Sequence, residues 1–203
     1  MSSGYKFTVY NDKYTAVLTG QTVKIFRKDS KEEIARFKDL KYAYRAAFNP
    51  AKNLLVVKST QPWFAFYCLE TMSLLCKMKV KKQKNIAQDS GFCISHDGSY
   101  LLNIECNPSK DTDTLIPRVA SHLVKYDCET FEEIGRFFET DTFKFLVIER
   151  HKDGYLLAGW DWSKPRDSSG IMAFFDGQAI TNTYGVNHSE LETISPYAEI
   201  YYQ

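Results

Sequence analysis

The chain has 203 residues and a mass of 23.4 kDa, which is enough for one sizeable domain that needs no disulfide or metal to stabilise its core. Its 26 basic and 25 acidic residues leave a net charge of +1, which argues against nucleic acid or anionic lipid as the main partner. Aromatic residues make up 15% of the chain. Because such residues favour half-buried pleated surfaces, the composition favours β structure.

Targeting signals are not found in the sequence. The segment Met1 to Lys6 is polar and lacks the apolar stretch of a secretory signal. Apolar runs such as Leu54 to Val57 are far shorter than the ~18 residues that a membrane helix needs. The five cysteines are irregularly spaced and form no Cys-x-x-Cys pair, so we expect free thiols in a reducing compartment. These features predict a cytoplasmic protein with no membrane partner.

In chain order, the sequence predicts four copies of one unit made of short strands and tight turns. The apolar run after the first turn begins at Tyr14, Leu54, Tyr100 and Tyr155, at intervals of 40, 46 and 55 residues. A second shared segment reads Tyr-Cys-Leu-Glu-Thr from Tyr67 and Tyr-Asp-Cys-Glu-Thr from Tyr126. The predicted units are 5–39, 42–80, 90–138 and 142–181 within a single domain, 1–203.

Each copy is predicted to contain four strands. In the second copy these are 43–48, 54–59, 63–68 and 73–79, and in the third they are 91–95, 100–105, 121–127 and 132–138. The dipeptides Asp97-Gly98, Asp153-Gly154 and Asp176-Gly177 are typical of hairpins, whose tight turns require residues with positive φ.

The order of strand, His-Asp-Gly, Tyr-Leu-Leu, loop and Tyr-Asp-x-Glu-Thr resembles the WD40-like and YVTN-type repeats of β-propellers. The resemblance implies an all-β, propeller-like fold of about four four-stranded blades, arranged as a closed ring or an open arc. The Gly-His and Trp-Asp dipeptides of a standard WD40 blade are missing from their usual places, which separates the chain from WD40 proteins proper. Residues 195–203 are expected to form a latch strand that closes the ring or covers an open edge.

Long or unusual loops are expected on one face of such a fold, where the second strand joins the third and one blade joins the next. Loops on a rigid scaffold commonly carry binding residues, and Trp and Arg are enriched in interface hot spots. The candidate partner-binding residues are Trp63, Trp160, Trp162, Lys164, Arg166, Lys81, Lys82 and Arg118. As an alternative, Trp63 and Trp160 fill gaps between blades.

Catalytic motifs are not found: the sequence has no Gly-x-Ser-x-Gly, no glycine-rich phosphate loop and no His-Glu-x-x-His. We therefore expect no cofactor, and the sequence favours a non-enzymatic function. One weaker pattern keeps an enzyme open, because Asp39, Asp89 and Asp141 each precede a predicted innermost strand. In propeller hydrolases, which this arrangement resembles, carboxylates at the channel mouth hold a hard cation.

Two functions of different classes follow from these observations. The first is a non-catalytic module that binds one protein partner through the long-loop face, as a dedicated inhibitor or immunity-type protein would. The alternative is a small metal-dependent, lactonase-like hydrolase. A homodimer formed through open blade edges is a further prediction.

Overall fold

The computed structural model describes residues 6–80, 88, 90–108, 119–140, 142–165 and 168–186. These residues form sixteen β-strands and no α-helix. The strands are β1 (Phe7–Tyr10), β2 (Tyr14–Leu18), β3 (Val23–Arg27), β4 (Glu33–Phe37), β5 (Ala43–Asn49), β6 (Leu54–Ser59), β7 (Trp63–Cys68), β8 (Ser73–Lys79), β9 (Phe92–Ile94), β10 (Tyr100–Pro108), β11 (Val119–Asp127), β12 (Glu133–Thr140), β13 (Phe143–His151), β14 (Gly154–Asp161), β15 (Gly170–Phe175) and β16 (Ile180–Val186). In the part of the chain so described, no helix has the length and apolar character needed to cross a membrane.

Every four consecutive strands form one antiparallel sheet, in which each strand pairs with the next along the chain. The four sheets are therefore β1–β4, β5–β8, β9–β12 and β13–β16. Four-stranded meanders of this kind are the blades of β-propellers, so the predicted fold class is confirmed. Each sheet is open: among the described residues, none closes on itself and no two share a strand. The expected latch strand, 195–203, lies outside the described residues.

The pairing between the third and fourth strands shows the same irregularity in all four sheets. A register shift lies next to the connecting turn, between Ile25 and Phe26, Phe66 and Tyr67, Lys125 and Tyr126, or Phe174 and Phe175. The shift leaves one extra residue in the outermost strand, which makes it a β-bulge that increases the local twist. The extra residues are Ile34, Leu75, Ile134 and Thr181. The internal repeat is therefore present in the backbone as well as in the sequence.

Two of the three predicted Asp-Gly turns have the expected geometry, and one differs. Gly98 and Gly177 have φ angles of 73° and 103°, a region in which glycine is favoured. At the third turn the positive φ, 50°, belongs to Lys152, and Gly154 is the first residue of β14. A Cβ at Gly154 would lie 2.6 Å from the ring of Phe174, so this glycine is required for close packing rather than for the turn.

The chain divides into two compact units. Unit 1 contains the first two sheets together with the turns 96–100 and 127–132, and unit 2 contains the remainder of the last two sheets. The core of unit 1 is formed by buried side chains from both of its sheets, among them Leu18, Ile25, Leu55, Val57 and Tyr67. The assignment of 1–203 to a single domain stays a prediction.

The part of the third sheet that belongs to unit 2 contains a buried polar network. The carboxylate of Glu105 is fully buried and accepts a hydrogen bond from the Tyr126 hydroxyl. Arg136 Nη1 lies 3.3 Å from the second oxygen of Glu105, and the same guanidinium pairs with Glu133. Burial, and then the neighbouring Glu105 carboxylate, raises the pKa of Tyr126, so this phenol stays protonated and continues to donate.

All five cysteines are free thiols in the structure, as the irregular spacing predicted. Cys93, Cys106 and Cys128 are buried, whereas Cys68 and Cys76 are partly exposed. Burial raises the pKa of Cys93 and of Cys128 to about 11. These two side chains therefore stay neutral near pH 7 and pack as small apolar groups.

Candidate protein-binding surfaces

The predicted partner-binding residues are only partly covered by the structure. Lys81, Lys82, Arg118 and Arg166 lie outside the described residues. Trp63 belongs to unit 1, whereas Trp160, Trp162 and Lys164 belong to unit 2. The grouping of Trp63 with the other residues on one face therefore stays a prediction.

In unit 1, the Trp63 indole lies against two lysines. Trp63 is the first residue of β7 and pairs with Lys79 on β8. The Nζ atoms of Lys77 and Lys79 lie 4.9 Å and 5.7 Å from its ring centroid. Lys77 Nζ also donates a hydrogen bond of 2.9 Å to the main-chain oxygen of Asp39. Each cation–π contact at an exposed site contributes about 0.5–1 kcal/mol, so the ring and both ammonium groups form one ordered cluster at the surface.

The segment 77–84 is rich in lysine, and its first residues belong to β8, which agrees with the predicted strand 73–79. Lys77 and Lys79 lie within β8, and both are exposed. Their separation by one residue places them on the same side of the strand, because side chains alternate with period two. This Lys-Met-Lys alternation was the signal that could have identified both lysines from the sequence.

In unit 2, Trp160 is buried. Only 9% of its surface is exposed, and its indole belongs to a cluster with Leu146, Val147 and Ala158. All of these residues belong to the fourth sheet, so the Trp160 ring has a packing role within that sheet. The cluster that contains Trp160 packs against Trp162, and direct partner contact by Trp160 stays a prediction.

Trp162 is half-buried and lies in the loop that leaves β14. Its ring packs on the Trp160 cluster together with Met172 and Val186. Its main-chain nitrogen donates a 2.7 Å hydrogen bond to the oxygen of Thr142. Because the backbone of Trp162 is hydrogen-bonded and one face of its ring is packed, the side chain loses little conformational entropy when a partner binds.

Asp161 orders the residues that follow Trp162. Its Oδ1 accepts hydrogen bonds from the nitrogen and hydroxyl of Ser163, at 3.0 Å and 2.6 Å. Lys164 Nζ lies 3.5 Å from Oδ2. Burial alone would raise the pKa of Asp161, but the Ser163 hydrogen bonds and the Lys164 charge lower it below its usual value. The carboxylate therefore stays charged and keeps the loop in one conformation.

The described residues provide no support for the alternative metal site at Asp39, Asp89 and Asp141. Asp39 is exposed in the connection between β4 and β5, and Asp89 and Asp141 lie outside the described residues. Among the residues that the structure does describe, no group of three His, Cys, Asp or Glu side chains is placed to hold a metal ion. The hydrolase stays a prediction.

An open groove of about 840 Å³ lies at the tight-turn end of unit 1. Charges of both signs line it, including Lys13, Arg27, Glu32 and Glu70. Because the charges are mixed, the groove favours no class of ligand, and it carries no functional assignment.

No protein-family model and no curated protein matches the chain in sequence. Solved structures do match its fold. A structure titled Kuenenia stuttgartiensis hydrazine synthase superposes with a TM-score of 0.64 at 9% identity, covering 87% of this chain and 51% of the other. The WD40 domain of Toxoplasma gondii coronin superposes with a TM-score of 0.61 at 16% identity, covering 88% of this chain and 45% of the other.

At these identities the likeness concerns the fold alone, and the chain spans about half the length of either structure. The match to a WD40 domain agrees with four blade-like sheets. The chain is therefore a β-propeller-like repeat protein.

Proposed function

We propose that this chain is a non-catalytic module that binds one protein partner. The observation that carries the proposal is the pre-ordered Trp162 loop, in which a half-buried indole precedes an exposed lysine by two residues. Trp162 is fixed by the Thr142 hydrogen bond and by apolar packing, and Lys164 is positioned by Asp161. Rigid aromatic anchors next to charged groups are typical of protein-binding hot spots.

Trp63 supports the same function in unit 1. Its indole is only partly buried and is flanked by Lys77 and Lys79. Each unit thus has a partly buried tryptophan: Trp63 contacts two lysines, and Trp162 precedes Lys164 by two residues. A protein with a low net charge and no catalytic motif is suited to specific protein contacts, since nothing in it favours a polyanion.

Within this function, the finer proposal is a dedicated inhibitor, of the immunity type, that blocks one cognate protein in the cytoplasm. The small size of the chain and its near-neutral charge support it. An inhibitor acts by occupying its target's active surface, so it requires a rigid binding surface and no chemistry of its own.

The test measures affinity for a partner captured with the immobilised full chain and identified by mass. We compare the wild type with Trp162→Ala and Lys164→Glu, and use Tyr184→Ala as the control. Tyr184 is 58% exposed on β16 in the same unit, so its loss also removes an exposed aromatic ring.

We expect Kd to rise at least about tenfold, or ~1.4 kcal/mol, for each of the first two variants and to stay unchanged in the control. Because Lys164→Glu also removes the ion pair with Asp161, the free energy of unfolding of each variant is measured beside Kd, which separates lost contact from lost stability. Unchanged affinity in both variants would show that the partner binds elsewhere.

A further inference from the structure

The outermost strand of the second sheet differs from those of the first and third sheets. When the outermost strands are aligned on their bulge, Glu33 of β4 and Glu133 of β12 precede the extra residue, and Arg36 and Arg136 follow two positions after it. Both pairs form ion pairs within their strand, with Nε–Oε1 distances of 2.6 Å and 3.1 Å. On each of these two edge strands, the glutamate and arginine charges therefore neutralise each other.

In β8 the glutamate position is Leu74 and the arginine position is Lys77. Lys77 consequently has no carboxylate on its own strand to pair with. In the part of the chain that the structure describes, no carboxylate lies within ion-pair distance of Lys77 or Lys79. The β8 edge therefore carries two positive charges that its own strand does not neutralise.

The same strand exposes apolar surface. Leu74 is 37% exposed, and Leu75, the extra residue of the bulge, is 52% exposed. The strand thus presents two adjacent leucines at its beginning and two lysines at its end. A partner that fits this pattern is apolar at one end and acidic at the other.

At the lysine end of β8, the ladder pattern fixes which main-chain groups point away from β7. Val80 N donates to Pro62 O at 2.9 Å, and Trp63 pairs with Lys79. Because hydrogen-bonded and non-hydrogen-bonded pairs alternate in an antiparallel ladder, Lys77 and Lys79 occupy non-hydrogen-bonded positions. Their main-chain N–H and C=O groups therefore point away from β7, toward the open side of the sheet.

We propose that β8 is a docking edge that accepts an extended acidic segment of a protein partner as a fifth strand of the second sheet. Main-chain hydrogen bonds to Lys77 and Lys79 provide affinity, as in other cases of strand addition. Carboxylates of the added strand pair with the two ammonium groups, and apolar side chains cover Leu74 and Leu75. The inference rests on the proposed function in that it takes the chain to be a protein binder.

A second copy of this chain is a poorer occupant. Pairing of β8 with another β8 would bring lysines of both copies to one seam, and like charges on facing strands are destabilising. Lysines on an edge strand commonly prevent self-pairing for this reason. An acidic strand turns the same charges into an attraction.

The probe for the test is a blocked nine-residue peptide, two valines followed by alternating glutamate and valine. Its binding to the full chain is measured by calorimetry at low salt, and hydrogen exchange is followed at the amides of Lys77 and Lys79. We expect saturable binding at one site and slower exchange at both amides. A peptide of the same sequence that is N-methylated at every amide keeps the charge but cannot form a ladder, and we expect it to bind at least tenfold more weakly.

The variant is Lys77→Glu/Lys79→Glu, and the matched control is Lys13→Glu/Lys28→Glu, which changes the net charge equally at exposed positions away from β8. We expect a loss of at least tenfold in affinity for the first and a much smaller loss for the control. Equal binding of the N-methylated peptide, tighter binding of an oligothymidylate of equal charge, or a dimer that depends on β8 would each overturn the proposal. These results leave the Trp162 test unaffected, so the failure of one is distinguishable from the failure of the other.

Discussion

The side-chain amide of Asn49 donates a 2.7 Å hydrogen bond to the main-chain oxygen of Gly98. Asn49 is the last residue of β5, is fully buried, and also accepts from the nitrogen of Lys52 through its Oδ1. Gly98 lies in the Asp97-Gly98 turn, 49 residues away. The turn at Asn49 and Pro50 in the second repeat is thus hydrogen-bonded to the Asp97-Gly98 turn of the third repeat.

Gly98→Ala is expected to lower the free energy of unfolding by about 2–4 kcal/mol. A φ of 73° costs an alanine roughly 1–2 kcal/mol. The new Cβ would also lie 2.8 Å from the Cβ of Ala51 and collide with the Asn49 amide, which adds the cost of overpacking. Urea titration measures the change.

Gly20→Ala is the control for that substitution. Gly20 has nearly the same φ, 74°, but no atom lies within 4 Å of a Cβ placed there. We expect it to lose only the roughly 1–2 kcal/mol of backbone strain. Equal losses in the two variants would contradict the contact between the repeats.

Gly159→Ala is expected to destabilise unit 2 by at least about 2 kcal/mol. A Cβ at this position in β14 would collide with the oxygen of Lys144 and lie 2.6 Å from the Cα of Phe145. Both obstacles are backbone, beside a bulge in β13, so they cannot rotate away.

Gly185→Ala in β16 is the control for Gly159→Ala, since only Lys164 Nζ approaches its Cβ, at 4.0 Å. We expect a change within about 0.5 kcal/mol. A loss at Gly185 as large as that at Gly159 would contradict the packing described here.

Tyr126→Phe and Tyr67→Phe are expected to have different effects, although both remove a buried hydroxyl. The Tyr126 hydroxyl donates to the buried Glu105 carboxylate, so its loss leaves an acceptor less satisfied and costs about 1–3 kcal/mol. The Tyr67 hydroxyl has no hydrogen-bond partner among the described residues, while its ring stacks on Phe37 at 4.1 Å. We therefore expect Tyr67→Phe to be neutral or stabilising in chemical unfolding, and equal losses would contradict these assignments.

Asp161 is expected to contribute to stability at neutral pH and to lose that contribution in acid. Its folded-state pKa is lowered from the ordinary 3.8. Because the folded state binds the proton less readily, the contribution is complete above pH 3.8 and is lost as the pH falls through the lowered pKa. The free energy of unfolding of Asp161→Asn should therefore differ from that of the wild type at pH 7 and converge with it in acid. A difference for Asp161→Asn that is the same at every pH would contradict the pKa shift.

Much of the fold follows from the sequence because its signals are local. The second sheet was predicted to within one residue, since turn residues flank each of its apolar runs. The strands β10 and β11 extend further than predicted, to Pro108 and from Val119. Strands of one hairpin lengthen together because every ladder bond needs a partner on the opposite strand.

The candidate site was less predictable because burial depends on distant packing. Trp160 and Trp162 are two residues apart in sequence, yet the first lies in the core and the second is partly exposed. The role of Gly154 was also missed, because the ring of Phe174 that excludes a side chain there comes from a neighbouring strand. An alignment of the four repeats in the sequence would have shown that Leu74 stands where two other copies have Glu33 and Glu133.

The two classes of function make opposite predictions about added metal. A channel-mouth hydrolase would retain calcium or magnesium through purification and lose it in Asp89→Ala/Asp141→Ala. A binding module has no such requirement, so we expect an excess of either cation to leave the melting temperature unchanged. Stoichiometric metal in the purified protein would favour the hydrolase.

The central claim is that the chain acts by binding one protein, and affinity capture with the tagged full chain at moderate salt tests it most directly. The mass and stoichiometry of whatever elutes are determined, and the capture is repeated with Trp162→Ala and Lys164→Glu. We expect one stoichiometric protein that is retained by the wild type and by Tyr184→Ala but weakened by both site variants. A monomer that elutes alone while carrying bound metal would contradict the claim.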